Sequence, residues 1–246
     1  MHRRRHPGMT ALVRWLGLAV LQVGLAVAAP QGSAEALRVL FVGNSYTYVN
    51  DLPSILKDLA IANRAEPGIQ TTMIATPGAT LEAHWKQGDV QRALKQERWD
   101  YVILQEQSLL PTVAPDQMYR YARLFNALIT ASGAKTILFV TWARAGKPEM
   151  QVALDRAYAT LAKELGAQLA PIGSAWQRAL SRNPRLALYQ GDGSHPTAVG
   201  SYVGACVFYA VIYGRPPQQH GGRVGGLAAA DILLLHQAAW DAVQAR

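Results

Sequence analysis

Ser45 closes the stretch LRVLFVGNS, and far downstream His195 follows Asp192 by three positions in GDGSHPT. A serine hydroxyl attacks a carbonyl only when a base takes its proton, and an imidazole does so when its other nitrogen is held by a partner. A carboxylate three positions earlier in a tight turn can reach that nitrogen. The pattern therefore makes Ser45 the nucleophile, His195 the base and Asp192 the residue that orients it. The oxyanion formed by such an attack needs donors. The backbone N–H groups of Ser45 and of Gly78 in ATPGAT, with the side-chain amide of Gln107 in QEQS, are of the right kind. Each fragment alone occurs often by chance. What makes them specific is their order and the places the chain gives them.

Those places follow from alternating signals along the chain. Short apolar runs at 37–42, 69–75, 101–104, 135–143 and 167–173 read as strands. Between and after them, helical spacing is seen at 52–64, 90–96, 115–133, 149–166, 174–180, 198–214 and 228–243. Strands separated by helices predict a parallel sheet covered on both faces, an α/β fold in which reactive groups collect at the carboxyl ends of strands. The residues to question are then those just after Val42, Ala75, Leu104, Ala143 and Ile172. Ser45, Gly78 and Gln107 follow the first three, whereas Asp192 and His195 lie in a later polar loop. His84 and Trp142 are further candidates to line the cleft, although a structural histidine at a helix start is the commoner role for the former. His220 and His236 have no carboxylate at useful spacing, and no cluster has metal-ligand spacing, so no metal and no cofactor are expected.

With these residues in view, the chain resembles the SGNH hydrolases, also called GDSL-type esterases and lipases. FVGNSYT is similar to the family's first block, with Asn44 where many members carry aspartate; ATPGAT is similar to the second and GDGSHPT to the last. The likeness runs over about residues 37–214. It implies a three-layer α/β/α, flavodoxin-like fold with a five-stranded parallel sheet, and a metal-independent serine esterase acting on acyl or acetyl esters. The third block departs from the pattern: QEQS stands where Gly-x-Asn-Asp is usual. Gln107 takes the place of the oxyanion-binding asparagine and Gln105 that of the glycine, so Gln107 is the expected donor and Gln105 the alternative. Some carbohydrate-esterase branches also carry a glutamine-containing block here. Glu106 supports the loop or binds substrate, and Asn44 joins the substrate-binding candidates.

The 246 residues are expected to divide into a leader and one domain. MHRRRHPGMTALVRW carries four arginines and no acid, the run after it is apolar but short for a membrane span, and Ala26-Val27-Ala28 offers a small-x-small cleavage site. A signal peptide over 1–28 is expected, with a single catalytic domain over 37–246, export to the periplasm or medium, and no stable membrane span after cleavage. An uncleaved anchor is the alternative. Loss of the leader lowers the formal charge from +8 to +4. The remaining mild basicity, without a Lys/Arg block, argues against nucleic acid and suits an anionic polymer or envelope surface. Cys206 is the sole cysteine and sits among apolar neighbours, as a buried thiol would. The expected substrate is a small-molecule or glycan ester. Two other readings fit the same residues: an O-acyltransferase passing the acyl group from Ser45 to a sugar, and a non-catalytic carbohydrate-binding protein on the same scaffold.

Overall fold

In a computed structural model of the chain, residues 1–2 and 35–245 are described, and the expected signal peptide over 1–28 lies outside the described residues but for its first two. Five strands, β1 (Leu37–Gly43), β2 (Ile69–Ala75), β3 (Tyr101–Leu104), β4 (Lys135–Val140) and β5 (Gln168–Pro171), pair in parallel in the order β2-β1-β3-β4-β5. Register is set by pairs such as Gly43 with Ala75, Val42 with Leu104, and Leu104 with Leu138. The sequence of strands reverses direction at β1, where β2 lies on one side and β3 on the other. A crevice opens at the carboxyl ends of strands at such a switch point, and β1 delivers Ser45 into it.

Side-chain alternation along the strands explains the three layers. Val39, Phe41, Ile103, Ile137 and Phe139 face one core. Packed there are α2 (Leu52–Ala62), α8 (Ile172–Arg182), α9 (Ala198–Tyr213) and α10 (Ala229–Gln244). Leu40, Val42, Val102, Leu104, Leu138 and Val140 face the other core. This side is covered by α3 (Leu81–Gln87), α4 (Asp89–Gln96), α6 (Pro115–Ala131) and α7 (Met150–Leu165). Two single-turn helices complete the chain, α1 (Ser45–Tyr48) and α5 (Leu110–Val113). The apolar α9 is buried from Gly200 to Ala210, which accounts for its composition, and Cys206 lies inside it. No described helix is long and apolar enough to cross a membrane.

Differences from the expected elements have local causes. β4 stops at Val140 rather than Ala143 because Gln151 intercepts the backbone beyond it: its amide donates to Thr141 O and its carbonyl accepts from Ala143 N–H. Likewise β5 gives way at once to α8. Gly173 fits there because a Cβ would lie 2.4 Å from Thr141 O and as close to the Gln151 amide. The helix start expected near His84 extends over Leu81–Gln87, capped by the Thr80 hydroxyl on Ala83 N–H.

Candidate active site

Asn44, the turn residue before Ser45, caps α1 by accepting Tyr46 N–H through its side chain. Ser45 is thereby the first residue of a helix whose leading amides have no intrahelical partner. Its Oγ lies 2.9 Å from His195 Nε2. His195 Nδ1 in turn meets Asp192 Oδ2 at 2.5 Å, while Asp192 Oδ1 accepts the N–H groups of Ser194 and His195, each at 2.9 Å. The His195 bond, and then these two backbone donors, hold the Asp192 carboxyl well below the usual carboxylate range. The three residues expected to act together are therefore assembled in one relay, with Nδ1–H directed to the carboxylate and Nε2 left as acceptor for the serine proton.

The loop carrying Asp192 and His195 is pinned from several sides. Gln190 N–H donates to His195 O, Thr197 N–H to Leu188 O, and Asn50 Nδ2 to Pro196 O. Ser194 is gripped twice: its hydroxyl pairs with Tyr46 OH at 2.8 Å, and its carbonyl accepts Trp142 Nε1–H at 2.9 Å. Beneath the site Tyr46 stacks on Trp142, and Trp142 on Trp176, with centroids 4.4 and 4.2 Å apart. Tyr46 also meets the His195 ring edge-on.

A cavity of about 500 Å³ opens above Ser45 and His195, and Asn44, Gly78, Gln107 and Asp192 also line it. Gly78 takes φ +63°, a left-handed turn that favours glycine and carries its amide to the cavity wall. Neither Ser45 N–H nor Gly78 N–H donates to an acceptor among the described residues. The Gln107 side chain is oriented by its own bonds: Oε1 accepts Leu109 N–H at 2.8 Å and Leu110 N–H at 3.1 Å, leaving Nε2 with a single long contact to Ser108 Oγ. The residues bearing two N–H groups and one side-chain amide without strong partners thus line the same cavity as Ser45, and such donors are what an oxyanion requires.

The remaining expected site residues are placed differently. Gln105, the alternative donor, is fully buried behind the Asn44-Ser45 turn. Its Oε1 accepts Asn44 N–H and the Thr47 hydroxyl, its Nε2 donates to Glu106 O, and it does not line the cavity, so its amide is turned to the nucleophile-side backbone rather than to a substrate. Glu106 is also fully buried and does not line the cavity. It accepts Gln107 N–H at 2.6 Å and Leu81 N–H at 3.2 Å, joining the end of β3 to the start of α3. Burial raises its carboxyl to about 7, with those two backbone donors opposing the rise. His84, a cleft candidate whose commoner role is structural, holds that structural role, with Nε2 bonded to Gly43 O at 2.8 Å; burial lowers its pKa. Trp142 supports the floor through Tyr46 and Ser194 and borders a neighbouring cavity of about 480 Å³. Asn44 does line the cavity, but its Nδ2 donates to Ala79 O, which ties the first loop to the second.

Tyr46, Tyr48, Pro77, Ser108, Arg144 and Ser194 also line the cavity and are absent from the sequence-based set. Arg144 had a legible signal: it is the first residue past Ala143, one of the strand ends singled out by topology. Among the described residues no three His, Cys, Asp or Glu side chains converge as metal ligands.

No family model matches the chain, and no curated protein does. Solved structures do match. A candidate SGNH hydrolase from Slackia heliotrinireducens is 28% identical, over 72% of this chain and 100% of that one, with a TM-score of 0.63. A DUF4886 family protein from Bacteroides uniformis is 20% identical, over 85% and 95%, at 0.66. Axe2, an acetylxylan esterase from Geobacillus stearothermophilus, is 16% identical, over 73% and 95%, at 0.59. The fold is that of the SGNH hydrolases, the three-layer arrangement implied by the sequence blocks.

Proposed function

We propose that the chain is an exported serine esterase that hydrolyses acyl or acetyl esters, O-acetylated carbohydrates among them. The observation that carries this reading is the continuous contact from Ser45 Oγ through His195 to Asp192 at a cavity bordered by the free Ser45 and Gly78 amides. Ser45 Oγ attacks the ester carbonyl as His195 Nε2 takes the hydroxyl proton. The carbonyl π electrons move onto oxygen, which the Ser45 and Gly78 amides and Gln107 Nε2 receive. Collapse expels the alcohol, to which His195 returns the proton, and leaves acyl-Ser45. Water, deprotonated by the same nitrogen, then releases the acid and restores the serine.

Hydrolysis is favoured over transfer because the His195 and Asp192 side chains are 34% and 46% exposed, so water has access to the base. Solved neighbours described as a candidate SGNH hydrolase and an acetylxylan esterase support ester hydrolysis at this coarse level. The QEQS block marks a glutamine-bearing branch of that fold. Export rests on the basic and apolar leader with its small-residue cleavage site. The decisive experiment labels the purified protein with a fluorophosphonate. Labelling of wild type that disappears in Ser45→Ala and His195→Ala supports the mechanism. A folded wild type that stays unlabelled and cleaves no ester rejects it. Amino-terminal sequencing of the protein recovered from the cell envelope or medium tests the leader.

A further inference from the structure

The cavity holds a guanidinium that the hydrolytic relay does not use. Arg144 Nη2 donates to Ser108 Oγ at 2.9 Å, and Arg144 forms no ion pair among the described residues. Its backbone is held on both sides. Ala143 N–H is bonded to Gln151, Ala143 O accepts Tyr189 OH, Ala145 N–H donates to Gly193 O, and Arg144 O accepts Lys147 N–H. Two of these bonds, from Tyr189 OH and to Gly193 O, join the loop that carries His195, so the backbone of Arg144 keeps a set position relative to the base. Ser108 Oγ accepts from Arg144, which leaves its own O–H free to donate. The carboxylate lining the cavity, Asp192, is committed through both oxygens to His195 and to two backbone amides.

A half-buried guanidinium without a counter-charge, beside a free hydroxyl donor, presents a forked site for an oxyanion. We infer that Arg144 and Ser108 form an anion subsite, and that the preferred substrate is an ester carrying a carboxylate or phosphate close to the cleaved bond; this rests on the esterase reading above. The mild positive charge left after loss of the leader is of the matching sign.

The test measures kcat/KM for three pairs of esters at low ionic strength. These are the methyl glycosides of 3-O-acetylglucuronic acid and 3-O-acetylglucose, 3-O-acetylglucose 6-phosphate against 3-O-acetylglucose, and 4-nitrophenyl hemisuccinate against the butyrate. The pairs separate a sugar carboxylate, a sugar phosphate and an acyl-side carboxylate. In at least one pair the charged member is preferred by about ten- to a hundredfold, the usual range for a hydrogen bond to a charged group. Arg144→Gln brings that ratio close to one, and Arg144→Lys, which keeps charge but not the fork, gives an intermediate value. A wild-type ratio near one in all three pairs overturns the subsite. So does a ratio unchanged in Arg144→Gln, which would mean that Arg144 serves charged and neutral esters alike. Should no ester be cleaved and Ser45 take no fluorophosphonate, the esterase reading fails separately. Calorimetric binding of the acetylated glucuronoside to wild type and Arg144→Gln then decides the subsite alone: tighter binding to wild type upholds it, and equal or absent binding overturns it.

Discussion

At the scale of single residues, the site separates groups that act from groups that hold them. Asp192 spends one oxygen on His195 Nδ1 and the other on two backbone amides, so an asparagine cannot satisfy both sets without presenting an N–H to an N–H. Asp192→Asn is expected to lower kcat by roughly 10³- to 10⁴-fold with the fold intact, read by ester turnover and circular dichroism. The two glutamines of QEQS give a sharper contrast. Gln107→Ala removes an amide facing the cavity and should reduce kcat by about 10²- to 10³-fold, with KM for a simple acetyl ester little changed. Gln105→Ala instead strips two acceptor bonds from the nucleophile turn, and its first effect should be a lower melting temperature. If Gln105→Ala melts like wild type and Gln107→Ala keeps full kcat, the assignment of these two residues is wrong. Spacing alone could not separate them, since both follow the same strand. What separates them is where their partners lie: those of Gln105 are Asn44 and Thr47, some sixty positions earlier in the chain, and those of Gln107 are the next three residues.

At the scale of elements, four polar side chains near the site turn out to be cross-braces between loops. Gln105 ties the end of β3 to the Asn44 turn, Asn44 ties that turn to Ala79, Glu106 ties β3 to α3, and His84 returns from α3 to Gly43. The succession of strands, the sheet and the place of Ser45 could be read from the sequence because periodicity and strand-edge rules act locally, and the Asp192–His195 contact because three positions in a tight turn are a local spacing. The braces could not, because whether a polar side chain at a strand end points into the crevice or under the neighbouring loop is a tertiary matter. Trp142 illustrates this: its position after β4 is suited to a pocket wall, yet its indole N–H is drawn to Ser194 O and its ring to Tyr46 and Trp176. Among these braces the tightly packed backbone point is Gly43. A Cβ there would stand 2.5 Å from both Gln105 Oε1 and Thr47 Oγ1, closer than real Cβ contacts allow. Gly43→Ala must displace the Gln105 brace, so a loss of about 1–3 kcal/mol in stability is expected together with reduced turnover. Denaturant unfolding and a kcat measurement on the same preparation check it. A variant as stable and as active as wild type would show that Gln105 is dispensable to the turn.

For the whole molecule, buried ionisable groups make stability depend on pH in opposite directions. Glu106, raised to about 7 by burial, keeps a proton in the fold that the unfolded chain, titrating near 4.5, gives up. Its contribution is fully present below about 4.5 and is lost as pH climbs through 7, a change on the order of 3 kcal/mol. Glu82 adds to the rise, and the buried Tyr158 feels the Glu106 charge in turn. His236 acts on the other side: burial lowers it to about 4, so it stays neutral beside Tyr202 OH while the unfolded chain takes up a proton below about 6.5. Stability is therefore withdrawn as pH falls from 6.5 towards 4. Together the two predict a stability maximum in mildly acidic solution rather than near the high isoelectric point, which would govern if net charge dominated. Glu106→Gln isolates one arm. A glutamine carbonyl in place of Glu106 Oε1 can still accept both Gln107 N–H and Leu81 N–H, so the brace survives while the titration is removed. Unfolding free energies of wild type and Glu106→Gln between pH 5 and 8.5 should converge at the acid end and separate by up to about 3 kcal/mol at the alkaline end, the variant being the more stable. Parallel curves across that range would mean that the Glu106 carboxylate is accommodated in the fold at little cost, and that any decline at the alkaline end originates elsewhere.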